Sequence, residues 1–150
     1  MEDGKGIGVA HQGGGDHETL ICDTNVLVRL LTDDIPAQAQ AAARALDARV
    51  RVVLADIVVA EVCYVLAGAY GFSRVEVSQR MADVLSLASI EVADLELLLD
   101  TLRMWSGDGV DFADAYLAAL ARSAIGTSVL SFDTDLDKLE GVERVDPAQY

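Results

Sequence analysis

Short apolar runs alternate with longer segments of helical periodicity from Leu20 onward, and this alternation constrains the fold most. Strand-like runs are predicted at 20–23, 51–54, 89–92, 128–132 and 143–145. Helices are predicted between them, over 24–31, 36–48, 57–70, 74–87, 95–105 and 112–126. Strands that are separated by helices indicate an α/β fold with a parallel sheet. Such sheets bind their ligands at the carboxyl ends of the strands.

The length and composition fit one compact domain. The chain has 150 residues, of which 52% are apolar, and this is enough for a single core. Residues 1–19 are rich in glycine and show no periodicity, so we predict a flexible tail there and a single domain over 20–150. No apolar run reaches the roughly 20 residues that span a bilayer, and no signal peptide is recognisable. We therefore expect a cytoplasmic protein.

The charge and the rare residues exclude several classes of protein. The formal net charge of −14 argues against a protein that coats nucleic acid through lysine and arginine. Two cysteines and two histidines are too few for the paired ligands of a structural zinc site. Both histidines fall in the predicted tail, which leaves a Ser-His-Asp triad without a base. The acidic balance suits a carboxylate metal site or a basic partner.

Glu61 is the most informative single residue. It is the only formally charged side chain from Ile57 to Ala69. A helix that is apolar on nearly every face is expected to be buried, and a buried carboxylate is costly without a partner. We therefore expect Glu61 to be buried against an arginine, a hydrogen-bonding pocket or a metal ion.

Further acids fall where a parallel sheet would gather them. Asp23 and Asp133 each follow a strand-like run, while Asp111 and Asp114 share one side of a predicted helix start. A helix cap or a solvated turn would explain each acid taken alone. Neighbouring carboxylates need a positive charge to offset their repulsion, and oxygen-rich sites suit Mg²⁺ or Mn²⁺. These ions can activate a water for attack on a phosphodiester.

Four motifs in order resemble those of PIN domains, and more closely those of VapC-type toxins of bacterial toxin–antitoxin pairs. The motifs are Ile21–Leu27, Val59–Val62, Val110–Ala118 and Leu130–Leu136. The resemblance covers residues 20–148. It implies a PIN-like three-layer α/β fold, in which helices flank a parallel sheet of about five strands.

The resemblance also implies a function and a set of site residues. It implies a metal-dependent endoribonuclease that acts as the toxin of a type II toxin–antitoxin system and hydrolyses RNA phosphodiesters by a metal-activated water. The catalytic and metal-ligating positions fall on Asp23, Glu61, Asp114 and Asp133. The supporting positions fall on Thr24, Asn25, Asp111, Ser131 and Asp135. The implied cofactor is Mg²⁺ or Mn²⁺, the substrate is RNA such as tRNA or rRNA, and the partners are a small basic antitoxin and a second copy in a homodimer.

Two features depart from this family pattern. The predicted tail is long, and the acidic balance leaves few cations for RNA. The candidate cations are Arg29, Arg74, Arg80, Arg103 and Arg122, each of which a solvated helix face would also explain. The alternative function is a catalytically silent PIN-like domain that only binds partners. Because all four main acidic positions are filled, we favour the enzyme.

Overall fold

The computed structural model describes residues 18–48, 50–125 and 127–150. The helices are α1 (Thr24–Thr32), α2 (Pro36–Asp47), α3 (Asp56–Gly68), α4 (Arg74–Leu85), α5 (Leu95–Gly107) and α6 (Phe112–Ser123). The strands are β1 (Thr19–Ile21), β2 (Arg51–Val53), β3 (Ile90–Glu91), β4 (Val129–Leu130) and β5 (Arg144–Val145). Short 3-10 helices follow at Thr134–Lys138 and Pro147–Gln149. The tail predicted for 1–19 lies outside the described residues, except for Glu18 and Thr19.

The strands form two parallel sheets, as the alternation of strands and helices predicts in part. The strands β1, β2 and β3 form one sheet with β2 in the centre, and β4 pairs with β5. The prediction of a single sheet of about five strands is therefore wrong for the described residues. Backbone hydrogen bonds pair β4 with β5. The Val129 N–H donates to the Glu143 carbonyl oxygen at 2.8 Å, and the Ser131 N–H donates to the Val145 carbonyl oxygen at 3.1 Å.

Local signals set the helix starts. Ser73 and Glu76 form the predicted capping box of α4, in which the Ser73 N–H donates to Glu76 Oε2 at 2.9 Å. Asp56 does not cap α3 as its position predicts, because Ala55 is the N-cap residue. One residue further into the helix, the Asp56 carboxylate instead accepts a hydrogen bond from the Tyr116 hydroxyl at 2.7 Å. This bond joins the start of α3 to α6.

The core holds together the elements that carry the acids. Its largest fully buried side chains include Leu27, Leu54, Leu66, Met81, Leu98, Leu102 and Leu136. Burial of each such side chain contributes about 1.5–3 kcal/mol. Within the described residues, no helix combines the length and the hydropathy that crossing a bilayer requires.

Candidate active site

Asp23 lies just after β1, where it begins α1. Its backbone is extended, and its Oδ1 accepts a hydrogen bond from the Thr24 N–H at 2.9 Å. Thr24 is buried, and its hydroxyl donates to Glu61 Oε2 at 2.5 Å. This hydrogen bond ties the start of α1 to α3. It therefore holds the Glu61 carboxylate next to the Asp23–Thr24 step of the chain.

The predicted burial of Glu61 is wrong, because this side chain is exposed. Its helix α3 is not enclosed, and presents a stripe to solvent with spacing i, i+4 and i+7. On this stripe Ile57 is 76% exposed and Tyr64 is 80% exposed. An apolar sequence therefore does not imply that α3 is buried on every side. The partner that Glu61 finds is a hydroxyl group, and among the described residues no arginine pairs with it.

A second group of acids surrounds the start of α6. Asp114 is half-buried in the first turn of this helix. Burial raises the pKa of Asp114, and so do the negative charges of Asp133, Asp111 and Asp135, in that order. Asp111 is the N-cap residue of α6, although its side chain makes no cap hydrogen bond. The charges of three acids from two segments of the chain thus act on Asp114.

A tight turn after β4 fixes the Asp133 carboxylate. The Asp133 N–H donates to the Ser131 hydroxyl oxygen at 3.0 Å, and Asp133 Oδ1 accepts from the Asp135 N–H at 2.8 Å. Asp135 in turn forms an ion pair with Lys138 at 2.5 Å. Two local hydrogen bonds therefore orient Asp133, while the charge of Asp135 is already partly offset.

Arg144 is a residue beside this group that the sequence analysis does not single out. It donates to the Ser131 carbonyl and to Asp137, each at 2.9 Å, and its side chain is 13% exposed. The pKa of Arg144 is raised, first by the hydrogen bond to Asp137 and further by the charges of Asp137, Asp146 and Asp133. The sequence carries no signal that could have found it, because Arg51 also lies in a predicted strand and is 56% exposed.

The candidate cations for RNA are engaged inside the chain. The partners are Asp34 for Arg29, Asp111 for Arg74, the Phe72 ring for Arg80, and Asp100 for both Arg103 and Arg122. Each of them has a partner within the chain, but Arg103 is 72% exposed and pairs with an acid on its own helix, so a solvated helix face still describes it. Asn25 is exposed and lines a groove between α1 and α2, and its supporting role stays a prediction.

The donor chemistry of the acids fits a divalent cation. Carboxylate and hydroxyl oxygens are the ligands that Mg²⁺ and Mn²⁺ prefer. The helix α3 connects the first group of acids, Asp23 and Glu61, to the second group around Asp114, because it packs against both α1 and α6. In the part of the chain that the structure describes, however, no three acidic, histidine or cysteine side chains are arranged so that they could hold an ion. To enclose one, the carboxylates would have to turn towards it.

Comparison with known families identifies the domain. Residues 20–142 match the PIN domain family. The chain belongs to the PIN domain family. PIN domains are generally nucleases and typically use divalent metal ions. No curated protein matches the chain. The resemblance to PIN domains is therefore confirmed, whereas the closer resemblance to VapC-type toxins stays a prediction.

Proposed function

We propose that this PIN-domain protein is a metal-dependent endoribonuclease and the toxin of a type II toxin–antitoxin system. The observation that carries the proposal is the gathering of Asp111, Asp133 and Asp135 around the half-buried Asp114. Burial and the neighbouring negative charges both disfavour the charged form of Asp114, and a divalent cation would relieve the repulsion. In a domain whose family generally consists of nucleases, this arrangement supports phosphodiester hydrolysis.

In this proposal Asp23, Glu61 and Asp114 would hold the main ion, and Asp133 would complete the site. A bound Mg²⁺ or Mn²⁺ would lower the pKa of a water molecule and offset the charge that develops on the attacked phosphate. We expect no covalent bond between a side chain and the RNA, so trapping of a phospho-enzyme would contradict the proposal.

The supporting residues act on the orientation of these acids. The Thr24 hydroxyl keeps one Glu61 oxygen fixed, which leaves the other oxygen free for a ligand. The Ser131 hydroxyl and the Asp135 N–H hold the turn that carries Asp133. Carboxylates that are oriented in advance lose less freedom when they bind an ion.

The partners belong to the same proposal. A net charge of −14 favours a small basic antitoxin and a local contact with RNA, such as tRNA or rRNA in the cytoplasm. A homodimer is supported by the exposed apolar side chains of α3 and α6, among them Ile57, Tyr64, Leu117 and Leu120. Monomers rarely expose contiguous apolar patches above a few hundred Å².

Cleavage of a mixed RNA pool in the presence of Mn²⁺ tests the enzymatic activity. We expect Asp23→Asn to lower the cleavage rate about 100-fold or more, because the substitution removes a ligand charge. Asp83→Asn is the matched control, since Asp83 is an exposed acid on α4 outside both groups. Equal cleavage by Asp23→Asn and the unmodified protein would remove the nuclease assignment.

The toxin role needs a test of its own. Induced expression should arrest growth, and co-expression of a small basic protein from the adjacent reading frame should relieve the arrest. Sequencing of RNA ends after induction would identify the substrate. A protein that binds such a partner but cleaves no RNA with Mn²⁺ would instead be the catalytically silent domain.

A further inference from the structure

Arg74 joins three parts of the chain close to the start of α6. It is the first residue of α4, and its Nη1 donates to the carbonyl oxygens of Val110 at 2.5 Å and Trp105 at 3.2 Å. Its guanidinium carbon lies 5.2 Å from the centroid of the Trp105 ring. Its Nη2 lies 3.5 Å from Asp111 Oδ1. One side chain thus contacts the end of α5, the residue before the cap of α6, and the cap itself.

The segment between α5 and α6 depends on such contacts. It contains Gly109 with a φ of 72°, a backbone conformation that residues other than glycine rarely adopt. Asp111 makes no side-chain cap bond that would fix the first turn of α6 locally. Tertiary contacts with the backbone before Asp111 therefore help to fix the start of α6, which carries Asp114. Arg74 supplies two hydrogen bonds of this kind.

We propose that Arg74 is a positioning residue for the acidic group at the start of α6. It holds the backbone before Asp111, and its positive charge offsets part of the repulsion between Asp111 and Asp114. Only a planar guanidinium can stack on an indole and donate to two carbonyls at once, which a lysine ammonium cannot do. The inference rests on the metal-binding part of the proposed function, because it treats Asp114 as a ligand of the ion.

Arg80 provides a matched control on the same helix. Its guanidinium lies 4.8 Å from the Phe72 ring centroid and donates to the Leu31 carbonyl at 2.8 Å. These contacts are of the same kind as those of Arg74. They reach the end of α1, at the opposite end of that helix from Asp23. Arg80→Ala therefore removes similar packing without touching the start of α6.

Binding of Mn²⁺ alone to the full chain, measured by isothermal titration calorimetry, tests the inference. We expect Arg74→Ala to weaken Mn²⁺ binding about 10- to 100-fold and Arg80→Ala to stay within about twofold of the unmodified protein, although both variants lower Tm. Arg74→Lys should fall between them, because it keeps the charge without the fork of donors. With RNA present, Arg74→Ala should lower kcat more than it raises KM.

Two outcomes would overturn the inference. Unchanged Mn²⁺ binding in Arg74→Ala, or an equal loss in Arg80→Ala, would reduce Arg74 to a contributor to stability. If Arg74→Ala does not fold, Arg74→Lys and Arg74→Gln are compared in its place. An unmodified protein that binds Mn²⁺ but cleaves no RNA would remove the proposed function and leave this inference standing. A protein that binds no Mn²⁺ would overturn both.

Discussion

The two groups of acids are held in different ways. At the start of α1, Glu61 accepts a hydrogen bond from the Thr24 hydroxyl, and Asp23 accepts one from the backbone. At the start of α6, Asp114 is surrounded by other acids, and among the described residues no donor reaches its carboxylate. Hydrogen bonds favour the charged form of a carboxylate, whereas burial and like charges disfavour it. The first group is therefore oriented by the fold, and the second retains a repulsion that a cation would relieve.

The largest expected effect shows whether the two groups act as one site. Asp114→Asn and Glu61→Gln should each lower Mn²⁺-dependent RNA cleavage about 100-fold or more, because each removes a ligand charge. If both acids hold the same ion, the double variant should lose little more than either single variant, since residues that act as a unit are not additive. Cleavage rates at saturating RNA measure this.

A loss in the double variant that equals the product of the two single losses would contradict a shared ion. It would mean that the groups at α1 and α6 contribute separately. Asp83→Asn serves again as the control for the removal of a surface charge.

Thr24→Val should destabilise the protein, because Thr24 holds the first group of acids. The substitution removes the hydroxyl that donates to Glu61 and keeps the side-chain shape. We expect the free energy of unfolding to fall by about 1–2 kcal/mol, because hydrogen bonds to charged groups contribute about 1.5–3 kcal/mol and Glu61 is exposed. Urea unfolding measures the change. Thr24→Ser keeps the hydroxyl and should lose less, so an equal loss in both variants would assign the effect to packing.

Asp114→Asn should stabilise the fold when divalent cations are absent. Because the pKa of Asp114 is raised above its ordinary value of 3.8, the folded protein binds this proton more readily than the unfolded chain does. The contribution of Asp114 to stability therefore falls as pH rises from the unfolded value through the folded one. At pH 7 we expect Asp114→Asn to gain about 0.5 kcal/mol, as for a like-charge pair.

The gain should disappear near pH 3, where Asp114 is protonated in both states. Urea unfolding in EDTA at pH 7 and pH 3 checks the difference between the variant and the unmodified protein. A gain that is equal at both pH values would show that repulsion at Asp114 is not its cause.

The smallest expected effect concerns the edge of the second group. Lys138→Gln removes the ion pair with Asp135, and both side chains are largely exposed. We expect no measurable change in the free energy of unfolding, since solvent screens such pairs. A clear loss of stability in urea unfolding would mean that Lys138 offsets the charge of the acids around Asp114 and not of Asp135 alone.

Features that depend on neighbours along the chain could be predicted from the residues alone. The capping box of Ser73 and Glu76 acts within one helical turn, so its pattern predicts where α4 begins. The positions of Asp23 and Asp133 after β1 and β4 follow from the apolar runs before them. The motifs around these acids were also enough to identify the PIN family, because they preserve the order of strand ends and helix starts.

Features that depend on packing between distant segments became visible only in the folded chain. Glu61 is exposed because, in the described part of the chain, no other element packs over its side of α3. The apolar sequence of this helix does not indicate which side faces solvent. The strands divide into two sheets because β4 forms its backbone hydrogen bonds with β5 and not with a strand of the first sheet. Likewise, Arg74 resembles a surface cation in the sequence, yet its partners Trp105 and Val110 are 31 and 36 residues away along the chain. Long-range contacts of this kind are chosen by the whole fold, so no local pattern specifies them.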